Sequence, residues 1–228
     1  MKKTIKKSIF RLCRFCSRCI TPRYSVSPPV REVEPAVYVV HHQNLRGPII
    51  IMTWFNVFVR TWVLSVFCDH KSCFSHYYNY TFTKRFGIPK LIAAVIVFPL
   101  SFCVPALMSL IQAIPVFRNS KSIVKTFKQS IAALTHGQSL LICPDIDYAD
   151  TSSNMGEMYS GFLQLEKYYM KQTGKHLAFI PLHISKCKHC IYVGEPIYFN
   201  NEEHFKQEKE KAYNRLKQEF SRLEEQDI

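Results

Sequence analysis

Two pairs of residues that suit acid–base chemistry follow apolar segments of this sequence. His41 and His42 come directly after the run AVYVV, which is typical of a buried strand. Asp145 and Asp147 come shortly after a second apolar run, SLLIC. Ligands of α/β proteins bind at the carboxyl ends of the strands, and histidine is a natural base there because its pKa lies near neutrality. The alternative is that these side chains only satisfy neighbouring backbone groups and cap the turns that follow.

The order of short motifs around these residues resembles that of the phospholipid/glycerol acyltransferase family. Members of that family carry a strand that ends in Asn-His, with an aspartate five residues after the histidine. In the segment VVHHQNLRGP, His42 takes the histidine position, and Gln43, Asn44 and Pro48 fit the family's usual surroundings. The aspartate position holds Gly47.

Four further blocks follow in the family's order. The segment AIPVFRNS resembles the second block, with Arg118 as its basic residue. LLICPDIDYAD stands where the family has a strand running into Pro-Glu-Gly-Thr-Arg-Ser; Pro144 matches, Asp145 replaces the glutamate, and the next three residues differ. FIPLHI and the Gly-x-Pro-Ile signature at 194–197 complete a resemblance that covers about residues 36–198.

The resemblance implies a membrane-associated glycerolipid O-acyltransferase of phospholipid synthesis, similar to 1-acylglycerol-3-phosphate acyltransferases. It implies transfer of a fatty acyl group from acyl-CoA or acyl carrier protein to a glycerol-phosphate-type hydroxyl, with no metal or redox cofactor. On this reading His42 takes the hydroxyl proton, and Arg118 holds the acceptor phosphate through its fork of donors. Asn44 and the backbone around Gly47 are candidate donors to the oxyanion.

Gly47 has no side chain with which to orient the imidazole, and three alternatives remain. Asp145 or Asp147 replaces the missing carboxylate; a backbone carbonyl holds the ring; or the chain is an inactive lipid-binding or membrane-scaffold homologue. Loss of the orienting aspartate costs about 10⁴ in rate in a serine-protease triad. We expect the first alternative, because both aspartates follow an apolar strand.

Composition and charge favour a protein that binds a membrane surface. The chain has 228 residues, of which 47% are hydrophobic, so it can bury a core. Its net charge of +13 requires an acidic partner. The uncharged segment 91–117 favours membrane phospholipid over nucleic acid as that partner, and no nucleic acid is expected.

Residues 1–24 form a basic arm whose apolar residues recur at helical spacing. A helix with one apolar and one cationic face can lie in the headgroup layer of an anionic bilayer. Its apolar positions are Ile5, Ile9, Leu12, Cys13, Cys16 and Ile20. Because Arg11 and Arg14 interrupt any secretory core, we expect the cytoplasmic face of the cell membrane as the location.

Two long apolar stretches, 48–68 and 91–117, predict membrane-associating helices. The second stretch is long enough to span a bilayer. The alternative is a pair of helices that partly embed in one leaflet or line an acyl-chain groove. We expect the alternative, because Pro99, Pro105 and Pro115 interrupt the second stretch and a span would cut the catalytic domain in two.

In the second half of the chain, helices that end at Gly137 and Gly174 alternate with apolar strands. This pattern predicts an α/β, acyltransferase-like fold with a mixed β-sheet flanked by helices. Residues 1–35 are the basic arm and a proline-rich linker, 36–200 the α/β domain, and 201–228 a charged C-terminal helix.

Nine cysteines are present, and we expect reduced thiols because no secretory signal is visible. The spacings Cys13-x-x-Cys16-x-x-Cys19 and Cys187-x-x-Cys190 also suit a zinc site. A zinc site beside the basic arm would favour a nucleic-acid-binding module. That alternative does not explain the uncharged segment 91–117.

Overall fold

A computed structural model describes residues 2–30, 35–118, 121–147, 149–200 and 204–227. The helices are α1 (Lys2–Ile20), α2 (Arg46–Trp54), α3 (His70–His76), α4 (Lys90–Leu110), α5 (Ile123–Thr135), α6 (Leu165–Thr173) and α7 (Phe205–Glu225), with 3₁₀ turns at Ser65–Phe67 and Ser160–Gln164 and a π-helix at Tyr77–Arg85. The strands are β1 (Ser25–Ser27), β2 (Ala36–Val40), β3 (Val59–Leu64), β4 (Ile114–Val116), β5 (Ser139–Ile142), β6 (Ala178–Ser185) and β7 (Cys190–Val193).

A mixed sheet in the order β1-β7-β6-β2-β5 forms the core, as the sequence predicted. Strand β2 runs parallel to both β5 and β6, whereas β6 and β7 are antiparallel. Every residue of β2 is buried, which suits a central strand covered on both faces. Val39 pairs with Ile142, so the carboxyl ends of β2 and β5 lie side by side.

Most predicted elements of this sheet and its helices are confirmed. Strand β2 has the predicted bounds, and α5 and α6 end just before Gly137 and Gly174. Both glycines have positive φ, 74° and 69°, the left-handed conformation with which helices commonly end.

The structure corrects two expectations about element type. The apolar stretch 48–68 was expected to be helical, but only its first part, up to Trp54, lies in α2, and β3 follows. β3 starts with alternating buried and half-buried residues and includes Val59, Thr61 and Val63, which favour a strand. The proline-rich segment expected to be a linker begins with the short edge strand β1, which pairs with β7.

The chain forms two compact units, one from Met1–Phe10 with Thr61–Thr126 and the other from Arg11–Arg60 with Phe127–Ile228. Their limits differ from the domain boundaries predicted at 35 and 200. The first unit holds the parallel pair β3 and β4 and the segments α3, the π-helix and α4. In the described part of the chain, α4 alone is long and apolar enough to cross a membrane by length and composition. It also contains Pro99 and Pro105.

In the second unit, arginines of α1 cap the carboxyl end of α2. Arg14 donates from Nε to the Thr53 carbonyl at 2.9 Å and from its terminal nitrogen to the Phe55 carbonyl. Arg18 also donates to Thr53, and its guanidinium lies 5.2 Å from the Trp54 ring centroid. Cations are favourable at the carboxyl end of a helix, where carbonyls lack intrahelical partners. Part of the basic charge that predicts membrane binding therefore holds the arm to the domain.

Replacing Arg14 by alanine is expected to lower the free energy of unfolding by about 1–3 kcal/mol, since hydrogen bonds to charged groups are lost. Arg11, one helical turn earlier and exposed, is the matched control, and Arg11→Ala should change stability by less than about 0.5 kcal/mol. Urea unfolding measures both midpoints. Equal midpoints for the two variants would contradict the capping role.

Candidate active site

His41 is the first residue after β2 and lies at the carboxyl edge of the sheet. Its ring Nδ1 forms a short hydrogen bond with the Asp145 carboxylate, which comes from the loop after β5. Both residues are buried, with 5% of His41 and 4% of Asp145 exposed. Because a carboxylate only accepts, Nδ1 carries the proton and the lone pair of the neutral ring lies on Nε2.

Several backbone contacts fix the Asp145 carboxylate. The His42 backbone N–H donates to both of its oxygens at 3.1 Å. On the aspartate's own loop, Asp145 forms an isolated antiparallel bridge with Met158, and the Tyr159 N–H donates to the Pro144 carbonyl at 2.8 Å. The carboxylate that orients His41 is thus held from both sides.

The free side of the His41 ring lies at a cavity of about 150 Å³. Nε2 is buried and makes no hydrogen bond to any described residue. The Asp150 oxygen Oδ2 lies 3.8 Å from it, beyond hydrogen-bond distance. The cavity is lined by His41, Asp145, Ile146, Asp147, Asp150, Gly156 and Glu157. This arrangement places an imidazole with a nitrogen that forms no hydrogen bond to the described residues in the wall of a small acidic cavity.

The structure changes which of the two histidine rings bonds to an aspartate. We expected Asp145 or Asp147 to orient His42, but the Asp145 carboxylate meets the ring of His41 and only the backbone of His42. Side chains of successive residues in an extended chain point to opposite faces, so only one of the two can turn towards the end of β5. The Nδ1 atom of His42 instead accepts the Leu45 N–H at 3.1 Å. This bond occupies the lone pair of the neutral ring.

The loop after the histidines has a constrained backbone. Gln43, Asn44 and Leu45 have φ values of 46°, 50° and 76°, which side-chain-bearing residues rarely adopt. The turn directs its N–H groups inwards: Arg46 N–H donates to the Gln43 carbonyl and Gly47 N–H to the His42 carbonyl. Such strain is often stored at functional sites.

Gly47 is required by this close turn. A Cβ at this position would lie 2.0 Å from the His41 carbonyl oxygen. An aspartate at the position where the family carries one therefore has no room here. The Gly47 N–H, which we expected to be a candidate oxyanion donor, is already bonded to the His42 carbonyl.

The other predicted site residues lie in different surroundings. Asp147 lines the cavity, and its Oδ1 accepts the Ala149 N–H at 3.0 Å. Asn44 is exposed in the strained turn. Arg118 is exposed, follows β4 and belongs to the other compact unit, so its role in binding phosphate stays a prediction.

The sequence analysis did not predict two of the carboxylates that line this site. Asp150 and Glu157 line the cavity beside His41. Both belong to the loop PDIDYADTSSNMGE, which carries four acidic residues. That concentration of acidic residues was the sequence signal that could have identified them. Hydrogen bonds from the backbone and hydroxyl of Ser152 hold the pKa of Asp150 below its usual range. A hydrogen bond from Lys217 does the same for the pKa of Glu157.

The neighbouring cysteine is not an activated nucleophile. Cys143 lies just before Pro144, and burial raises the pKa of its thiol well above the usual value. All nine cysteines are free. Over the residues that the structure describes, no group of three or more His, Cys, Asp or Glu side chains is placed to hold a metal ion.

No protein-family model matches the chain, and no curated protein matches it. Among solved structures, the chain is similar to the 1-acyl-sn-glycerophosphate (LPA) acyltransferase PlsC from Thermotoga maritima, with a TM-score of 0.56 and 10% sequence identity. The match covers 98% of this chain and 83% of that chain. At this identity the likeness shows the fold, and the predicted acyltransferase-like α/β fold is confirmed. The function has to be argued from the site.

Gly47→Asp, which restores the family's residue type, is expected to destabilise the protein. The added side chain must displace the His41 carbonyl, and overpacking of this kind costs about 1–3 kcal/mol. Gly161→Ala is the control, because a Cβ there meets no atom within 4 Å. Thermal unfolding of both variants measures the difference. A Gly47→Asp variant as stable as the wild type would contradict the close packing of this turn.

Proposed function

We propose that the chain is an O-acyltransferase in which His41 is the general base. The observation that carries this proposal is the His41 ring, which is bonded to Asp145 through Nδ1, lines the cavity, and has an Nε2 with no hydrogen bond to any described residue. A base oriented by a carboxylate is the arrangement that activates a hydroxyl. The similarity of the fold to an LPA acyltransferase supports acyl transfer over other reactions of a hydroxyl.

The proposed reaction needs no further reactant. His41 Nε2 takes the proton of the acceptor hydroxyl while the hydroxyl oxygen forms a bond to the thioester carbonyl carbon. The tetrahedral intermediate then collapses, the carbon–sulfur bond breaks, and the proton passes from His41 to the departing thiolate. The products are an ester and a free thiol. Asp145 stabilises the imidazolium that forms between the two steps.

The acyl donor in this proposal is acyl-CoA or acyl carrier protein, and the acceptor is a glycerolipid hydroxyl. Arg118 is the proposed contact for an acceptor phosphate, since a guanidinium binds phosphate through paired donors. Asn44, exposed in the turn beside the histidines, is the proposed oxyanion donor.

A second candidate function is lipid binding without turnover. Two observations favour it: Gly47 leaves no room for the family's aspartate, and the turn's own groups take the N–H of Leu45, Arg46 and Gly47. An enzyme of this type needs donors for the oxyanion. Incubation with a labelled acyl thioester and a panel of lysolipids separates the two functions. Acyl transfer to any of them supports the enzyme, and retained lipid binding without transfer supports the second candidate.

We also propose that the first compact unit attaches the protein to the cytoplasmic face of a membrane. Helix α4 has 21 residues, a length of about 31 Å that compares with about 30 Å for a bilayer's hydrocarbon core. Its Leu91 and Val95 are 85% and 72% exposed, although large apolar side chains are usually buried. Contiguous exposed apolar surface of this kind is typical of membrane-contacting segments.

His41→Gln is expected to lower kcat by about 10²–10⁴, the usual contribution of a general base. Asp145→Asn should also lower kcat, because the amide NH₂ cannot accept the Nδ1 proton and favours the wrong tautomer. His42→Gln should lower kcat by less than about tenfold, since its Nδ1 bond to the Leu45 N–H lies within the turn. Initial rates with a labelled acyl thioester measure all three. A greater loss for His42→Gln than for His41→Gln would return the role of base to His42.

The double variant Leu91→Asp, Val95→Asp is expected to bind anionic phospholipid vesicles at least about tenfold more weakly. Each apolar side chain that no longer enters the bilayer forfeits about 1.5–3 kcal/mol. Tyr198→Asp, at a position 46% exposed in the second unit, is the control and should bind as the wild type does. Co-sedimentation with vesicles gives the affinities. Equal binding by all three proteins would refute attachment through α4.

A further inference from the structure

The part of helix α1 that belongs to the second compact unit faces that unit with its polar side. Arg14 and Arg18 donate to the carbonyl of Thr53, and the Ser17 hydroxyl shares a hydrogen bond of 2.7 Å with the Thr53 hydroxyl. A surface helix of a globular protein normally directs its apolar stripe at the core. The orientation of α1 is the reverse, so its apolar side chains are left at the surface.

The exposed side of α1 combines large apolar side chains with three cysteines. Leu12, Phe15 and Ile20 are 62%, 64% and 85% exposed, and the three cysteines are exposed and free. Cysteine is among the residue types most often buried in proteins, so three exposed cysteines on one helix need an explanation. We call the following six residues the outer face of α1: Leu12, Cys13, Phe15, Cys16, Cys19 and Ile20.

The helical spacing places the three thiols opposite the side chains that hold α1 to the domain. An α-helix turns by about 100° per residue, so Cys16 lies about 160° around the helix from both Arg14 and Arg18. Cys13 and Cys19 lie about 60° to either side of Cys16, and the three positions span about 9 Å along the helix axis. The three thiols therefore share one side of the helix, and that side is directed away from the domain.

Neither a metal nor a disulfide accounts for these thiols. Over the residues that the structure describes, no group of three or more His, Cys, Asp or Glu side chains is placed to hold a metal ion. All three cysteines are free. A thiol that is exposed beside large apolar side chains is instead accessible to a reagent that is itself apolar.

The charge of α1 complements an anionic bilayer. Arg11 is exposed next to the outer face, four lysines precede it in the same helix, and the helix contains no aspartate or glutamate. A basic amphipathic helix of this kind lies in the plane of the interface, with its apolar side about 5–10 Å into the boundary between headgroups and acyl chains. The same cations attract the phosphate groups of lipids and of acyl-CoA.

We infer that the outer face of α1 lies in the interface of an anionic bilayer and that its cysteines are S-acylated there by long-chain acyl-CoA. An acyl-CoA in a bilayer keeps its chain among the lipid tails and its charged head in water, so its thioester lies at the depth of the helix. Cysteines of amphipathic helices at a membrane are typical sites of this reversible modification. The inference goes beyond the function proposed for His41 and does not depend on it.

The modification exchanges one thioester for another. The cysteine sulfur forms a bond to the thioester carbonyl carbon, and the bond between that carbon and the CoA sulfur breaks. The proton of the cysteine thiol passes to the departing CoA thiolate. Acyl-CoA is therefore the only co-reactant, and the products are S-acylated protein and free CoA.

S-acylation adds a second membrane anchor to the one proposed for α4. A single acyl chain gives only marginal and reversible membrane binding, and stable anchoring takes two signals. An acylated α1 and an embedded α4 supply two such signals. Removal of the acyl group then weakens attachment of the protein without changing its fold.

The test incubates the full-length protein with phosphatidylcholine–phosphatidylserine vesicles and an alkyne-labelled long-chain acyl-CoA, and peptide mass spectrometry locates the label. We expect label on the α1 cysteines that neutral hydroxylamine, which cleaves thioesters, removes. The triple variant Cys13→Ser, Cys16→Ser, Cys19→Ser should lose the label, and the variant that retains Cys16 alone should keep it. Labelled protein should bind vesicles at least about tenfold more tightly than the same protein after hydroxylamine treatment.

Two control variants separate the outer face from exposed thiols in general. Cys187 is also exposed and free, but it lies between Lys186 and Lys188 in the turn that joins β6 to β7. Cys187→Ser should therefore keep the label. The variant Leu12→Asp, Phe15→Asp retains all three α1 thiols but disfavours entry into the interface, so it should lose the label. Its thiols should still react with a water-soluble maleimide as those of the wild type do, which shows that the helix is folded and the thiols are exposed.

Label on Cys187 in place of the α1 cysteines, or label retained by the triple serine variant, overturns the inference. Equal labelling of the wild type and of Leu12→Asp, Phe15→Asp overturns it as well, because the outer face then needs no membrane. A dimer that forms in sedimentation velocity without vesicles, and that the aspartate variant loses, assigns the outer face to a second copy of the chain and also overturns it. Any of these results leaves the function proposed for His41 standing. Label on the α1 cysteines of His41→Gln supports the inference even if no lipid is acylated.

Discussion

The hydrogen bond between the Asp145 carboxylate and the ring of His41 decides what this edge of the sheet can do. It places the proton on Nδ1 and leaves the Nε2 lone pair at the cavity. The parallel pairing of β2 with β5 brings the two residues together across 104 positions of sequence. The same carboxylate accepts the His42 N–H, so it also fixes the start of the turn that follows.

That turn explains how the site differs from the family pattern that the sequence resembles. The backbone at 43–45 is left-handed, and it brings Gly47 against the His41 carbonyl. The space that an aspartate would need is filled by main chain. The orienting carboxylate is Asp145 of the loop after β5, and it meets the ring of His41 and not that of His42.

Charged and apolar residues are distributed unevenly over this chain. The basic arm, helix α4 and the loop around His41 therefore differ in electrostatic character. Arg14 and Arg18 of the basic arm bind carbonyls at the end of α2, where a cation stabilises the helix. The apolar residues of α4 are exposed in the first unit. The acidic residues concentrate around His41 in the second. The net charge of the chain therefore does not describe the local charge around His41.

The sequence by itself determined the central strand β2, the helices closed by Gly137 and Gly174, and the sheet edge at which the polar residues gather, because hydrophobic period and glycine conformation are local properties. It indicated Asp145 or Asp147 as the substitute for the missing carboxylate, but as the partner of His42. It did not distinguish His41 from His42, since the choice depends on strand register and on which side chain faces β5. Nor did it reveal that Asp150 and Glu157 join the cavity, or that 59–64 is a strand within an apolar stretch. Those features depend on contacts between distant segments, and only the tertiary structure decided them.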